Sequence, residues 1–250
     1  FLIFSIVLMF IFVHQPSDYI IYGLILVFSS AGSNILNFKR LFKYITLKKQ
    51  DKYEFVPHFK PILILFAQSL VISIYTNLDL IMLGSIKDSY EVGLYTAATK
   101  LKLILLSIVN SLGNVLLPRM SYYAKRNMKE QFERITAQAI NFTLFISFPL
   151  AVFFTLNAKE SLFLLAGEQY LGAVLSMQFL TIAVIPIGIT GILGIQVLTP
   201  LEKEKYLLIS VIVGAVIDLL LNFILISSYG SSGAAFATMI AEFAVLFVQI

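Results

Sequence analysis

The chain contains no cysteine, so disulfide bonds, thiolate metal sites and a cysteine nucleophile are excluded for these 250 residues. It also lacks the short motifs of common catalytic sites: the HExxH zinc helix, the GxSxG elbow, the phosphate-binding glycine-rich loop and the Rossmann fingerprint. Its two histidines, His14 and His58, stand in polar gaps at the ends of apolar runs. The sequence therefore predicts no catalytic residue, no metal site and no cofactor, and the protein is not predicted to be an enzyme.

Charge is also scarce. Charged residues make up 13% of the chain, against ~25% in ordinary soluble domains, while 59% of the residues are hydrophobic. A single soluble core cannot bury that much apolar surface, whereas lipid can. Eight apolar runs follow one another, at 2–13, 19–36, 61–83, 93–117, 136–155, 171–198, 206–226 and 233–250. All but the first are long enough, as α-helices, to cross a hydrocarbon core of ~30 Å.

The basic residues are concentrated in alternate gaps between these runs. Seven Lys and Arg lie in 38–60, five in 119–134 and two in 199–205, whereas the intervening gaps hold only Lys87, Lys159 or no cation. Lys and Arg are retained on the cytoplasmic side of membrane proteins, so the basic gaps are predicted to be cytoplasmic. The net charge of +4 is explained by lipid headgroups, and no nucleic-acid partner is predicted.

The gap at 38–60 divides the spans into two before it and six after it. Its apolar residues recur at helical spacing, which predicts an amphipathic helix on the cytoplasmic surface, with a solvated basic linker as the alternative. The predicted organisation is two helices of a first lobe (1–37), a linker (38–60) and a six-helix lobe (61–250). Because both ends fall within apolar runs, we expect the chain to be part of a longer protein.

Ionisable residues within spans are costly and usually face a cavity or one another. By helix rise, Asp79 lies ~6 Å and Lys100 ~10 Å from the external face, on consecutive antiparallel spans. We expect them to form a salt bridge or to line a vestibule together, with Asn110 and Asn114 on the polar stripe of Lys100. Lys102, on another side, is expected to snorkel or to pair locally. The alternative is an ion pair that only locks two helices.

Two further carboxylates fall near the midplane. Asp218 lies ~18 Å from the cytoplasmic face and Glu242 ~14 Å from the outer face, and Asn222 follows Asp218 by one helical turn. Buried carboxyls suit proton or cation binding, so these three residues are a predicted ion-coupling site. Tight packing of protonated or hydrogen-bonded carboxyls is the alternative.

The sixth span carries Pro186, Gly188 and Gly191 in the segment AVIPIGITGILG. Proline and repeated glycine weaken the helical hydrogen-bond ladder, so the segment is a candidate hinge. Such residues are also common in membrane helices that do not move.

Four segments together resemble a known family. They are NLDLIMLGSIKDSYEVGLYTAATKL (77–101), LLPRMS (116–121), FLLAGEQYLGA (163–173) and NFILISSYGSSGAAFATMIAE (222–242). Their order and spacing over 61–250 resemble the second lobe of polysaccharide flippases, in the O-antigen or capsular repeat-unit branch of the multidrug/oligosaccharidyl-lipid/polysaccharide exporter superfamily. Asp79, Lys100 and Asn222 fall at motif positions of that lobe.

The resemblance implies an all-α, polytopic membrane bundle with the transporter fold shared by this superfamily, of which about eight spans are present. It implies a twelve- or fourteen-helix flippase of the bacterial cytoplasmic membrane, moving undecaprenyl-pyrophosphate-linked oligosaccharide outward by alternating access. The implied partners are this substrate, membrane lipids, a polysaccharide polymerase and glycosyltransferases. The energy would come from an ion gradient or from consumption of the product.

Three other functions fit the sequence less well than a flippase does. A cation-coupled multidrug exporter of the same superfamily is disfavoured by a lysine in the cavity, which suits an anionic load. An intramembrane glycan polymerase or ligase needs a large external loop with catalytic residues, and the gaps are too short for one. A scaffold subunit would not need buried charges.

Overall fold

The computed structural model describes residues 2–41, 59 and 76–250, and it divides the chain into two compact units, Phe1–Ile64 and Leu65–Ile250. Most of the predicted linker at 38–60 lies outside the described residues, as does the first part of the third predicted span. The described residues contain no β-strand.

The first unit contains a helical hairpin. α1 (Leu2–Phe12) and α2 (Tyr19–Leu41) are joined by a short 3-10 turn, Pro16–Asp18. The Asp18 carboxylate accepts backbone N–H groups from His14 and Gln15, both at 3.0 Å, and these bonds lower the pKa of Asp18 below its ordinary value. A helix end leaves such N–H groups without helical partners, so Asp18 fixes the turn.

The second unit is built from seven helices in its described part. They are α3 (Thr76–Ile86), α4 (Ser89–Val109), α5 (Ser111–Lys125), α6 (Lys129–Leu156), α7 (Ala158–Ala166), α8 (Val174–Gly191) and α9 (Glu204–Gln249). A 3-10 segment, Glu168–Ala173, precedes α8, and a π-helical segment, Ile192–Leu198, continues it.

The fourth predicted span, 93–117, is interrupted at Asn110, where α4 ends and α5 begins. Serine hydroxyls on both sides compete for helical carbonyls: Ser107 donates to Ile104 and Ser111 to Ile108, each at 2.7 Å. Such back-bonding bends helices, which explains the break that hydropathy alone did not predict.

The basic gap at 119–134 is mostly an extension of its two neighbouring helices. α5 continues to Lys125 and α6 begins at Lys129, so only a tight turn with Asn127 at a positive φ of 53° separates them. Polar residues continue the helices readily because a helix satisfies its own backbone hydrogen bonds beyond the membrane as well as within it.

The last helix, α9, is a hairpin of two antiparallel arms, 204–229 and 231–249. Its backbone reverses at Gly230, whose φ of 55° and ψ of −132° suit glycine. Asn222 and Thr238 both hydrogen-bond to Asp79, although a straight helix would place them ~24 Å apart. Ser210 and Gln249, near the far ends of the arms, are bonded at 2.9 Å. The arms match the predicted spans 206–226 and 233–250.

α8 occupies the centre of the second unit. It is apolar on all sides, and Met177, Leu180 and Val184 are fully buried, as expected for a helix surrounded by other helices. The core around it includes Leu83 of α3 and Ile226 of α9. Large apolar side chains such as Phe145 and Phe247 lie on the outside of the lobe.

Four helical stretches within the described residues are long and apolar enough to cross a membrane. They are Ser89–Val109, Lys129–Leu156, Glu168–Leu198 and Glu204–Gln249. The last supplies two crossings because it is a hairpin, and three shorter apolar helices belong to α1, α2 and α3. The predicted all-α membrane helix bundle is confirmed.

Candidate functional site

The second unit contains a buried polar cluster formed by α3, α4 and both arms of α9. Its members, here called the outer layer, are Asp79, Tyr95, Asn222 and Thr238, each with at most 8% of its surface exposed. Buried polar groups must find hydrogen-bond partners inside the protein, so their arrangement around Asp79 determines what the site can do.

The Asp79 carboxylate accepts three hydrogen bonds. The Tyr95 hydroxyl and the Thr238 hydroxyl lie on its Oδ2, the latter at 3.0 Å, and the Asn222 amide donates to Oδ1 at 2.6 Å. The Tyr95 and Thr238 hydroxyls are themselves 3.0 Å apart. Three donors converge on this one carboxylate, so the outer layer is organised around the side chain of Asp79.

Asn222 joins Asp79 to a second carboxylate. Its amide nitrogen also donates to Asp218 Oδ2 at 3.2 Å, so the two residues lie together, while their role in ion coupling stays a prediction. With both amide hydrogens used, Asn222 Oδ1 and Asp218 Oδ1 remain buried without a hydrogen-bond donor. Two unsatisfied buried oxygens beside the carboxyl group of Asp79 are suited to a monovalent cation or, at Asp218, to a proton.

The salt bridge expected between Asp79 and Lys100 is not formed, whereas the alternative, a vestibule that both residues line, stays a prediction. Lys100 is exposed, and the ion pair found within the described part of the chain joins Lys129 to Glu133 at 3.7 Å. Lys100 follows Tyr95 by five residues and so points ~140° away from it around α4. Asp79 consequently belongs with Asn222 and Asp218, in the site that the sequence assigned to ion coupling.

The polar stripe expected along α4 is present on the exposed side of the helix. Lys100, Ser107 and Asn110 are all exposed, and Asn110 marks the break between α4 and α5. The side chain of Asn114 lies outside what the structure describes. A lysine exposed in a membrane-spanning helix is costly in hydrocarbon, so this face suits a hydrated cavity.

Lys102 lies on a different side of α4 from Lys100, and its expected snorkelling or local pairing stays a prediction. It is partly buried and interacts electrostatically with Glu242, Asp79 and Asp218. Glu242 in turn interacts with Lys102 and Asp79. The charges of α4 therefore divide between an exposed side at Lys100 and a bundle-facing side at Lys102.

The candidate hinge residues lie at a point where α8 changes geometry. Pro186 is inside α8, and the helix passes from α to π geometry after Gly191. A Cβ added at Gly188 would lie 2.7 Å from Val109 Cγ1 and 2.9 Å from Thr143 Cγ2. Gly188 therefore lets α8 pack closely against α4 and α6, and the hinge role of this segment stays a prediction.

Sequence reasoning missed Tyr95 and Thr238. Both carry hydroxyl groups within apolar spans, where ionisable side chains are the ones costly enough to be singled out from the sequence. A comparison of depths would have found Thr238, because it lies about as far inside its span as Asn222 and Asp79 do in theirs. Tyr95 had no comparable signal, since a tyrosine near the end of a span usually faces the interface.

The residues do not suggest a transition-metal centre. Within the described ranges, no three His, Cys, Asp or Glu side chains are grouped so that they could hold a metal ion. The oxygen-rich outer layer is suited to a hard monovalent cation instead.

Two protein-family models match the chain. The MatE model matches residues 65–224, well over half of the chain, and the model described as polysaccharide biosynthesis protein matches residues 2–124. The chain belongs to the MatE family. This membership confirms the resemblance to the multidrug/oligosaccharidyl-lipid/polysaccharide exporter superfamily.

Individual relatives of this MatE-family chain are named as transporters or flippases. A protein named as an O-antigen transporter of Shigella dysenteriae is 28% identical over 250 residues, which is 95% of this chain. A protein named as a low-salt glycan biosynthesis flippase, Agl15, of Haloferax volcanii is 26% identical over 167 residues, 67% of this chain. The chain spans 60% and 35% of these relatives' lengths.

The fold is also found in a solved structure. The lipid II flippase MurJ, in its inward closed conformation, superposes with a TM-score of 0.73 over 91% of this chain and 49% of that one. The sequence identity is 18%, so this likeness concerns the fold. This MatE-family chain is thus a multi-pass membrane protein.

Proposed function

We propose that the protein is a flippase for lipid-linked oligosaccharides. It moves undecaprenyl-pyrophosphate-linked polysaccharide repeat units across the bacterial cytoplasmic membrane by alternating access, without covalent chemistry. The names of the curated relatives, an O-antigen transporter and a glycan biosynthesis flippase, support a glycan as the transported group. Glycosyltransferases act before it, because they make the lipid-linked unit. A polysaccharide polymerase acts after it, because it consumes the flipped unit.

The observation that carries this proposal is the division of charge across α4. Lys100 is exposed on a polar stripe, whereas the opposite side of the helix contributes Tyr95 to a buried cluster around the carboxyl group of Asp79. An anionic head group requires a hydrated cationic surface, and its lipid tail can remain in the bilayer. Lys100 therefore attracts the pyrophosphate, with Asn110 on the same stripe offering polar contacts to the sugars.

The buried cluster supplies the coupling to an ion gradient. Asp79, Asp218 and Asn222 hold a sodium ion or a proton, which satisfies the two unpartnered oxygens of Asp218 and Asn222. Since the cluster joins α3, α4 and both arms of α9, occupancy stabilises one packing of these helices over another. Glu242, one turn beyond Thr238, adjusts the charge of the site.

Transport by reconstituted full-length protein tests the substrate role of Lys100. Lys100→Ala should abolish flipping of a lipid-linked oligosaccharide while the protein remains folded in the membrane, and Lys100→Arg should retain part of it. If Lys100→Ala lowers only the amount of protein, Lys100 has a structural role and the proposed cavity is wrong.

Amide substitutions test the coupling role separately. Asp218→Asn and Glu242→Gln mimic the protonated carboxyls, so a coupling site should lose its dependence on pH or sodium and stall in one conformation. Transport is measured with and without an imposed ion gradient. Unchanged gradient dependence in both variants would remove this pair from the mechanism and leave the energy source unassigned.

A cation-coupled multidrug exporter is the second candidate, favoured by the MatE match over residues 65–224. It shares the ion site but requires a cavity that accepts cationic drugs. Lys100→Ala separates the two functions, because loss of an exposed ammonium should impair an anionic load and leave export of a cationic dye intact.

A further inference from the structure

A second layer of charge lies one helical turn inward from the outer layer. The two arms of α9 are in register about Gly230: Asn222 and Thr238, which share Asp79, are equally distant from it along the chain. Asp218 and Glu242 are also equally distant from Gly230, one turn further along each arm. Residues at equal distances from the turn of an antiparallel hairpin lie at the same level, so these two carboxylates occupy one layer.

The ammonium of Lys102 belongs to this inner layer. Lys102 follows Tyr95 by two helical turns, so it lies on the same side of α4 and ~10 Å further inward. Its electrostatic interactions, in order of size, are with Glu242, Asp79 and Asp218. The other lysine of this helix, Lys100, is exposed. Among the described residues, Lys102 is therefore the cationic side chain that faces these carboxylates.

The charges of the two layers do not balance. Among the described residues, this part of the bundle contains three carboxyl groups, those of Asp79, Asp218 and Glu242, but one ammonium group, that of Lys102. Uncompensated charge is costly in a membrane interior, so the surplus must be neutralised by protons or by a mobile cation. A bound cation then shares its carboxylates with Lys102, and the two positive charges repel each other.

We propose that Lys102 is a tethered cation, which sets the affinity of the outer layer for its mobile cation. It supplies part of the compensating charge when the mobile cation is absent and weakens binding when that cation is present. This inference rests on the proposed ion coupling. It assigns to Lys102 a positioning role, in which the lysine acts on the ion through Asp218 and Glu242 without coordinating it.

Substitutions of Lys102 and of Glu242 are expected to change the sodium affinity in opposite directions. Two unit charges ~10 Å apart in a partly polar protein interior change a binding constant by roughly tenfold. Lys102→Met should thus bind sodium about tenfold more tightly than the wild type, and Glu242→Gln about tenfold more weakly. The double variant should return close to the wild-type affinity, whereas Lys102→Arg should retain it.

Sodium-dependent thermal unfolding of the purified full-length protein measures these affinities. Sodium chloride is exchanged for choline chloride at constant ionic strength, so that screening does not change during the titration. The concentration giving half of the stabilisation is compared among variants. Lys87→Met, which removes an exposed lysine outside the cluster, is the matched control and should leave that concentration unchanged.

The outcomes distinguish this inference from the proposed coupling site. If the sodium affinity of Lys102→Met is unchanged or weaker, the proposed role of Lys102 as a tethered cation is wrong. If the wild-type protein is nevertheless stabilised by sodium, the proposed coupling site is retained. If sodium stabilises Lys102→Met but not the wild-type protein, the inference is supported. No response in any variant overturns both, although flipping itself is assayed independently. If Lys102→Met does not fold, Lys102→Gln, which removes the charge but keeps a polar side chain, takes its place: tighter sodium binding supports the inference and unchanged or weaker binding overturns it.

Discussion

The carboxylate of Glu91 accepts a hydrogen bond from the backbone N–H of Ser231 at 2.7 Å, across 140 residues of sequence. Glu91 lies in the first turn of α4, and Ser231 begins the second arm of α9. A carboxylate at a helix N-terminus satisfies an N–H group that has no helical partner and complements the helix dipole. Because Tyr95 follows Glu91 by one turn, this bond also holds α4 and the arm bearing Thr238 in register around Asp79.

Gly230→Ala should destabilise the protein. A Cβ at this position would lie 2.6 Å from the Glu91 carboxylate, and the positive φ of 55° disfavours any side chain. We expect a loss of about 1–3 kcal/mol in the free energy of unfolding, measured by thermal or denaturant unfolding in detergent. Gly23→Ala is the control, since nothing lies within 4 Å of its added Cβ. Equal stability of the two variants would contradict the close contact.

Tyr95→Phe should weaken the outer layer. It removes one of the three donors to Asp79 without changing the volume of the ring, and leaves a buried carboxylate less satisfied. The expected cost is about 1–3 kcal/mol in unfolding free energy, together with a changed sodium or pH response. Tyr90→Phe removes the same hydroxyl from an exposed tyrosine and should stay within about 0.5 kcal/mol of the wild type. An effect of Tyr90→Phe as large as that of Tyr95→Phe would argue against a specific role for the Asp79 contact.

Substituting two glycines of α8 distinguishes a packing role of this segment from a hinge role. Gly188→Ala should cost about 1–3 kcal/mol, because its Cβ would overlap Val109 and Thr143. At Gly191 the nearest atom to an added Cβ is Asn110 Oδ1 at 3.5 Å, an ordinary contact, so Gly191→Ala should keep the stability or raise it. If the segment is a hinge, Gly191→Ala should nevertheless slow transport. Full transport by Gly191→Ala would exclude bending at that residue from the mechanism.

Membrane orientation follows from the distribution of cations. Cysteines introduced singly at Lys49 or Lys125, in a cysteine-free full-length protein, should resist an impermeant thiol reagent in intact cells, since both gaps are predicted to be cytoplasmic. A cysteine at Lys87, in a gap predicted to be external, should react. Labelling at Lys125 but not at Lys87 would reverse the orientation.

The sequence predicted the membrane class, both arms of α9 and the proximity of Asp218 to Asn222. Hydropathy located both arms of α9, because a stretch of apolar residues long enough to cross the bilayer has few alternatives to a helix. One-turn spacing linked Asp218 with Asn222, since residues four apart share a helix face. The break at Asn110 was not predicted, because hydropathy does not register the hydroxyl groups that bend a helix.

Only the tertiary structure decided how Asp79 is used. Depth along a span placed it near Lys100, but depth contains no information about rotation around the helix axis. The packing of α3 between α4 and the hairpin turned Asp79 toward Tyr95, Asn222 and Thr238, leaving Lys100 on the exposed side. The sequence by itself determined which charges the membrane must accommodate, because burial in lipid constrains each helix alone. Which charges meet was decided by helix rotation and packing, which depend on contacts between residues far apart in the chain.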